Sequence, residues 1–285
     1  MRIFFRVSLL VRELVEDYLG EPPPAPAPPY RDYVVLERDD RGSRAARSFW
    51  RDELAGAPRT RPAVGNGTAA GSGPGAGTPW SETALDLGQA PVELAARLGV
   101  PVRQLLLACH LAVLGALGGG DAEVVTGVFT GGRPERDGAD HTLGMFLNVL
   151  PFRQRVAERT WAELLAGTAA TDRRLLRHRR YPIADIQRDL GRGRILDTAF
   201  NFTRFAAYGE LSRRGLVTGV RWFEHTAFDL LANAGHDLAQ DRLVVTLNAR
   251  ADVLPQPALD RVGRLWRAAL GRLADDPGAP VRIRE

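Results

Sequence analysis

The stretch Val102–Leu117 constrains the fold most. It is a strongly apolar helix, broken only by polar residues near its start and by His110, and it stops at Gly118-Gly-Gly120. Directly after it, Glu123-Val-Val-Thr-Gly-Val-Phe-Thr130 is an apolar, β-branched strand that ends in a turn at Gly131-Gly132-Arg133-Pro134. The apolar run Leu105–Leu117, interrupted by His110, falls short of the ~20 residues needed to span a bilayer. The pair therefore reads as core, and no membrane partner is expected.

The remaining pattern supplies partners for that core. Thr83–Leu87 alternates as a strand, Pro91–Leu98 is a short helix, and Val149–Val156 is a second strand. Thr160-Trp-Ala-Glu163 is a capping box, because hydroxyl and carboxylate can satisfy each other's exposed amides. The helix it opens runs towards Arg180 with Trp161, Leu164, Leu165, Leu175 and Leu176 inward. Further strands are expected at Thr198–Phe205, Leu216–Glu224, Phe228–Asn233 and Arg242–Ala249. A final amphipathic helix carries Leu259, Val262, Leu265, Trp266, Ala269 and Leu273. This order predicts an α/β fold, a mixed β-sheet flanked by helices.

The N-terminal part reads differently. Val7, Leu10, Val11, Leu14, Val15 and Tyr18 share one helical face, and Gly20 stops that helix. Glu21–Pro29 is a stiff, proline-rich connector. Tyr30–Asp40 is a short tyrosine-containing segment, and Ser43–Leu54 is a helix carrying Phe49 and Trp50. Residues 55–79 are rich in Gly, Ala, Pro and Thr and read as a flexible surface loop. Gly65-Asn-Gly67 and Gly71-Ser-Gly-Pro-Gly75 lie within it, but no strand precedes them to make a phosphate-cradling loop.

Composition excludes several chemistries. All 38 basic residues among the 285 are arginine, which removes any lysine Schiff base, P-loop lysine or lysine general base. The net charge of +4 is too small to imply a nucleic-acid partner by itself. A single cysteine, Cys109, leaves no internal disulfide and no multi-cysteine metal site, and the spacing of the five histidines suggests no metal either. Arg6 and Arg12 break up the apolar residues where a signal peptide would need an uninterrupted core, so a cytoplasmic location is expected.

Three residues raise local questions. Arg133, held by glycines between two strand ends, projects either into solvent or toward an anion or carboxylate. Asn148 and Asn201 are amides in apolar stretches, and each either satisfies backbone or polarises a substrate carbonyl. Arg173–Arg194 contains eight arginines and two aspartates, a local +6. It reads as a solvated face or as a docking surface for an acidic partner through Arg173, Arg177 and Arg180. No Gly-x-Ser-x-Gly elbow is present, and His110 inside the apolar helix reads as a core histidine.

Several motifs together resemble the condensation domains of nonribosomal peptide synthetases, members of the chloramphenicol-acetyltransferase-like, CoA-dependent acyltransferase superfamily. Gly127-Val-Phe-Thr-Gly-Gly-Arg-Pro-Glu135 followed by Leu143-Gly-Met-Phe-Leu-Asn-Val-Leu-Pro-Phe-Arg153 resembles that family's GR turn and (I/L)GxFxNTLPxR segment. Tyr30-Arg-Asp-Tyr33 is similar to its Y-x-D-(F/Y) motif, Phe49-Trp-Arg-Asp-Glu-Leu54 to its FWxxxL helix, and Leu196-Asp-Thr-Ala-Phe-Asn-Phe202 to a later strand motif. The resemblance implies two related α/β lobes with a channel between them. Residues 30–285 would be the C-terminal lobe, and residues 1–29 a helix and crossover from a first lobe. The family's HHxxxDG signature has no counterpart here, since no two histidines are adjacent.

By resemblance the chemistry is amide-bond formation between carrier-bound thioesters and amines, with substrates on the phosphopantetheine arms of carrier proteins and no covalently bound cofactor. Arg133 would pair with the motif's aspartate, and Asn148 and Asn201 would line the channel. His178-Arg-Arg-Tyr-Pro-Ile183 departs from the family's H-Q-D-(Y/V)-P-F by trading an acidic residue for arginine. With no catalytic histidine, a truncated, inactive chain is expected. The alternatives are a partner completed in trans by a separately encoded first lobe, a non-catalytic carrier-docking module, or a start displaced by a frameshift.

Overall fold

The computed structural model describes residues 10–11, 13–21, 27–62, 79–118, 123–205, 214–215, 226–237 and 242–283. The expected strand Leu216–Glu224 and most of the 55–79 loop lie outside them. Six strands form one mixed sheet: β1 (Trp80–Gly88), β2 (Glu123–Gly131), β3 (Leu147–Arg155), β4 (Thr198–Phe205), β5 (Leu230–Asp237) and β6 (Arg242–Arg250). Their order across the sheet is β1-β6-β5-β4-β2-β3. The β2–β3, β5–β6 and β1–β6 pairs are antiparallel, whereas β4 runs parallel to both β2 and β5. The β2–β4 ladder pairs only Gly127 with Ala199 and Val128 with Phe200. Before it starts, the Val125 N–H donates to the Thr60 hydroxyl at 2.8 Å, so the strand's edge is not left unsatisfied.

The helices are α1 (Tyr30–Gly42), α2 (Arg44–Glu53), α3 (Ala90–Leu98), α4 (Val102–Leu117), α5 (Trp161–Leu176), α6 (Ile183–Asp189) and α7 (Gln256–Asp275). Helix α4 is buried on nearly every side. It lies between α5 and α7, and this layer covers one face of the sheet. Leu105, Leu111 and Leu114 of α4 join Val128, Leu150, Phe152 and Phe200 of the strands in a single core. Gly115 is small for a reason: a Cβ there would lie 3.2 Å from the Val156 side chain. Helices α1, α2 and α6 form a second group at the β3 end of the sheet.

The capping box at Thr160 forms in full. The Thr160 N–H donates to Glu163 Oε2 at 2.8 Å, and the Glu163 N–H donates to the Thr160 hydroxyl at 3.2 Å, which holds the Glu163 carboxyl below its usual range. The structure departs from the sequence reading in four places. Tyr30–Asp40 is part of a helix, with Asp32 in its first turn and Arg41 in its last to match the helix dipole. Helix α5 stops at Leu176 rather than running to Arg180, and a short helix not expected from the sequence, α6, follows Pro182. Strand β5 begins at Leu230, not Phe228, and continues to Asp237. Residues 10–11 and 13–18 are helical as expected. Several apolar side chains of that helix are largely exposed, Leu14 at 66% and Tyr18 at 87%.

Candidate functional site

The three singled-out residues fall into two places. Arg133 leaves the end of β2, and its Nη1 donates to the carbonyl oxygens of Ala139 and, at 2.8 Å, Thr142. Its guanidinium also lies over the Phe146 ring, 4.1 Å from the centroid. Arginine at this position thus holds the loop between β2 and β3 in one shape. Aromatic packing fixes the same loop: Tyr30 and Tyr33 of α1 sit 5.2 and 4.8 Å from Phe146, and the Tyr30 O–H donates to the Met145 carbonyl at 2.6 Å. Gly144 abuts the Tyr30 ring so closely that a Cβ would lie 2.0 Å from it. Only glycine fits.

Asn148 opens β3 beside this loop. Its Nδ2 donates to the carbonyls of Arg179 at 3.0 Å and Tyr181 at 2.8 Å. Its Oδ1 accepts from the N–H groups of Val149 at 2.9 Å and Ile183 at 3.3 Å. The amide therefore clips the turn between α5 and α6 onto the sheet. From the same turn Arg180 Nε donates to the Gly132 carbonyl at 2.9 Å, and Arg179 pairs with Glu135 at 3.0 Å. Arg133, Asn148 and the 179–183 turn form one corner.

Asn201 lies elsewhere. Phe200 packs into the helix-side core, so strand alternation sends Asn201 to the opposite face of the sheet. There its Nδ2 donates to Asn233 Oδ1 at 2.9 Å, across a register that pairs the two residues directly. Asn248 shares this face on β6, since it pairs with Leu231 two residues from Asn233. All three amides are buried, at 4%, 8% and 6% exposure. Sequence reading missed Asn233 and Asn248. The available signal was the alternation of each with core residues, Ala232 and Ala234 around one, Leu247 and Ala249 around the other.

Most of the arginine-rich stretch is already engaged. Arg174 makes two hydrogen bonds to Glu53 at 3.1 and 2.6 Å, Arg194 reaches Asp229 at 2.9 Å, and Arg188 pairs with Asp185. Arg180, an expected docking residue, spends its Nε on the Gly132 carbonyl. Arg173 and Arg177 are exposed and make no ion pair among the described residues. Two of the histidines are poorly placed for proton traffic. His110 is fully buried, with Nε2 3.2 Å from the Thr126 hydroxyl, and burial pushes its pKa down to about 3. His178 stacks on Phe49 with centroids 4.0 Å apart, and burial lowers its pKa too. His225 lies outside the described residues.

No group of three or more His, Cys, Asp or Glu among the described residues is placed to hold a metal ion. Among them, too, no single helix is long and apolar enough to cross a membrane.

This mixed sheet with its helical layer is the fold of solved condensation domains. The chain superposes on the condensation domain of the Monacolin K polyketide synthase MokA with a TM-score of 0.78 at 17% identity, covering 98% of this chain and 68% of that one. The first condensation domain of the calcium-dependent antibiotic synthetase, in complex with a substrate analogue, gives 0.70 at 22% identity, over 99% and 62%. The family model described as "Condensation domain" matches residues 6–283, and the chain belongs to that family. It is 36% identical over 267 residues to the AMB antimetabolite synthetase AmbE of Pseudomonas aeruginosa, covering 90% of this chain and 12% of the synthetase. It is 26% identical over 294 residues to Surfactin synthase subunit 3 of Bacillus subtilis, covering 96% of this chain and 22% of that subunit. The chain thus spans a small part of the length of these relatives.

Proposed function

We propose that the chain serves amide-bond formation in nonribosomal peptide biosynthesis, in the cytoplasm, on substrates presented by carrier proteins on phosphopantetheine arms. An acceptor amine attacks a donor thioester; the C–N bond forms, the C–S bond breaks, and the amine's proton leaves as the thiol is released. Such a step needs a base or positioning group at the amine and donors at the developing oxyanion. The carrying observation is how the polar groups are distributed. His110 is sealed in the core and His178 is stacked on Phe49, while a row of buried amides, Asn201, Asn233 and Asn248, occupies the sheet face opposite the helices. These residues supply positioning: the amide row holds a substrate carbonyl or N–H, and Arg133 and Asn148 fix the loop and turn beside β3. Neither His110 nor His178 is placed to supply the proton transfer. The test is condensation between two loaded carriers with the purified chain. No turnover is expected, and robust turnover refutes the assignment of a purely positioning role.

A second reading, carrier docking without catalysis, is favoured by Arg173 and Arg177, which are exposed and carry no ion pair among the described residues. Reversing both charges to glutamate should weaken binding of an acidic carrier and steepen no other defect. Unchanged binding removes this reading.

A further inference from the structure

Beside the 179–183 turn, whose Tyr181 lines it, α1, α2 and α6 frame a cleft of about 360 Å³. Four arginines line it, Arg38, Arg41, Arg47 and Arg188, against two carboxylates, Asp185 and Asp189. Asp185 receives Arg41 Nε at 2.7 Å and also Arg188. Asp189 receives Arg47 Nε at 3.3 Å and the Tyr181 O–H. Arg38 is exposed and makes no ion pair among the described residues. The cleft therefore carries a net +2, and each guanidinium has five N–H donors of which the carboxylates take few. Four like charges gathered around two carboxylates repel one another until an anion arrives.

We propose that this cleft binds the phosphate group of a small phosphate monoester. A phosphate monoester near neutral pH carries close to two negative charges and three strong acceptor oxygens, which matches the excess charge and the spare donors. The volume falls in the range of small-molecule sites, about 300–1,000 Å³. It leaves room for an organic substituent beyond the phosphate. The ligand ties α1, α2 and α6 together, because the four arginines come from all three helices.

Titration calorimetry of the full chain with glycerol phosphate tests this. Arg38→Gln removes a charge that makes no ion pair among the described residues, so it should leave folding intact and weaken binding about fivefold, the loss of one exposed charge-assisted contact. Asp189→Asn removes a competing carboxylate and should tighten binding severalfold. Arg173→Gln, an equal loss of charge on another surface, should change nothing. The proposal is overturned if glycerol phosphate shows no saturable millimolar binding, or if Arg38→Gln and Arg173→Gln weaken it equally. It is also overturned if Arg38→Gln impairs carrier-protein binding while leaving glycerol phosphate binding intact. Should Asp189→Asn fail to fold, the Arg38 and Arg173 pair decides alone.

Discussion

On the helix-covered face of the sheet, Val128, Leu150, Phe152, Phe200 and Leu247 meet α4, α5 and α7 with their side chains fully or almost fully buried. On the opposite face β4, β5 and β6 present Asn201, Asn233, Asn248 and Arg250, which are also buried. The helix-covered face is held mainly by volume, with the His110, Thr126 and Thr198 hydrogen bonds inside it. The other face combines buried Leu231 with hydrogen bonds and ion pairs. Arg250 illustrates the second kind, reaching Asp229 at 3.3 Å and Asp252 at 2.5 Å. An apolar layer tolerates no ligand and serves as scaffold. The buried amides keep hydrogen-bonding groups inside the protein, and two of them meet directly, Asn201 Nδ2 donating to Asn233 Oδ1 at 2.9 Å.

The helix-covered face should break hardest. Phe200→Ala removes a fully buried ring that lies 5.5 Å from the His110 ring, and should cost about 3–5 kcal/mol in urea unfolding. A loss below about 1 kcal/mol would mean that this face is not the scaffold. Asn148→Ala tests the clip at the rim. It strands the Arg179 and Tyr181 carbonyls and the Ile183 N–H, and about 1–3 kcal/mol should be lost. Protease cutting within 177–183 should rise with it. If cutting there stays unchanged, the amide does not hold the turn.

His110 gives the helix-covered face a pH signature. Its folded pKa is pushed down to about 3 by burial, while the unfolded chain protonates near the ordinary value of 6.5. Between those values the unfolded state binds the extra proton. The contribution of neutral His110 is thus fully present above pH 6.5 and is lost as pH falls towards 3, at a slope of up to about 1.4 kcal/mol per pH unit. His110→Leu should flatten the acid side of the stability profile measured by urea unfolding at successive pH values. An unchanged acid slope in that variant would show that other groups set it.

How much of this was visible in the sequence depends on how far apart the partners lie. Helix α4 and strands β2 and β4 were legible because their signals are local, an apolar run stopped by glycines and β-branched residues between turns. Helix α1 was not, because Val34-Val35 argue against helix while its stabilising contacts, Tyr33 against Phe146 among them, come from more than a hundred residues away. Asn148 was legible as a question, since a polar amide sat in an apolar stretch. Its answer, the backbone of the 179–183 turn, is long-range and invisible locally. The arginine-rich stretch poses the same difficulty. A local +6 ignores Glu53, Glu135 and Asp229, which the fold brings to Arg174, Arg179 and Arg194.

The smallest effect is the most informative about the polar face. Asn201→Ala leaves Asn233 Oδ1 without its 2.9 Å donor, and Asn233→Ala does the converse to Asn201. Each single change should cost about 1 kcal/mol or somewhat more, because a buried amide loses a partner. If the pair acts as a unit, the double variant should cost less than the two singles together, by a coupling of at least about 0.5 kcal/mol. Additive losses would mean that each amide is held separately by its own surroundings, and the face would then be a set of isolated polar residues rather than a prearranged row. Coupling in stability combined with an unchanged helix-side core, read from the near-ultraviolet signal of Trp266 and Trp161, would separate the two faces energetically. Only a face separable in this way can adjust to a substrate without loosening the scaffold behind it.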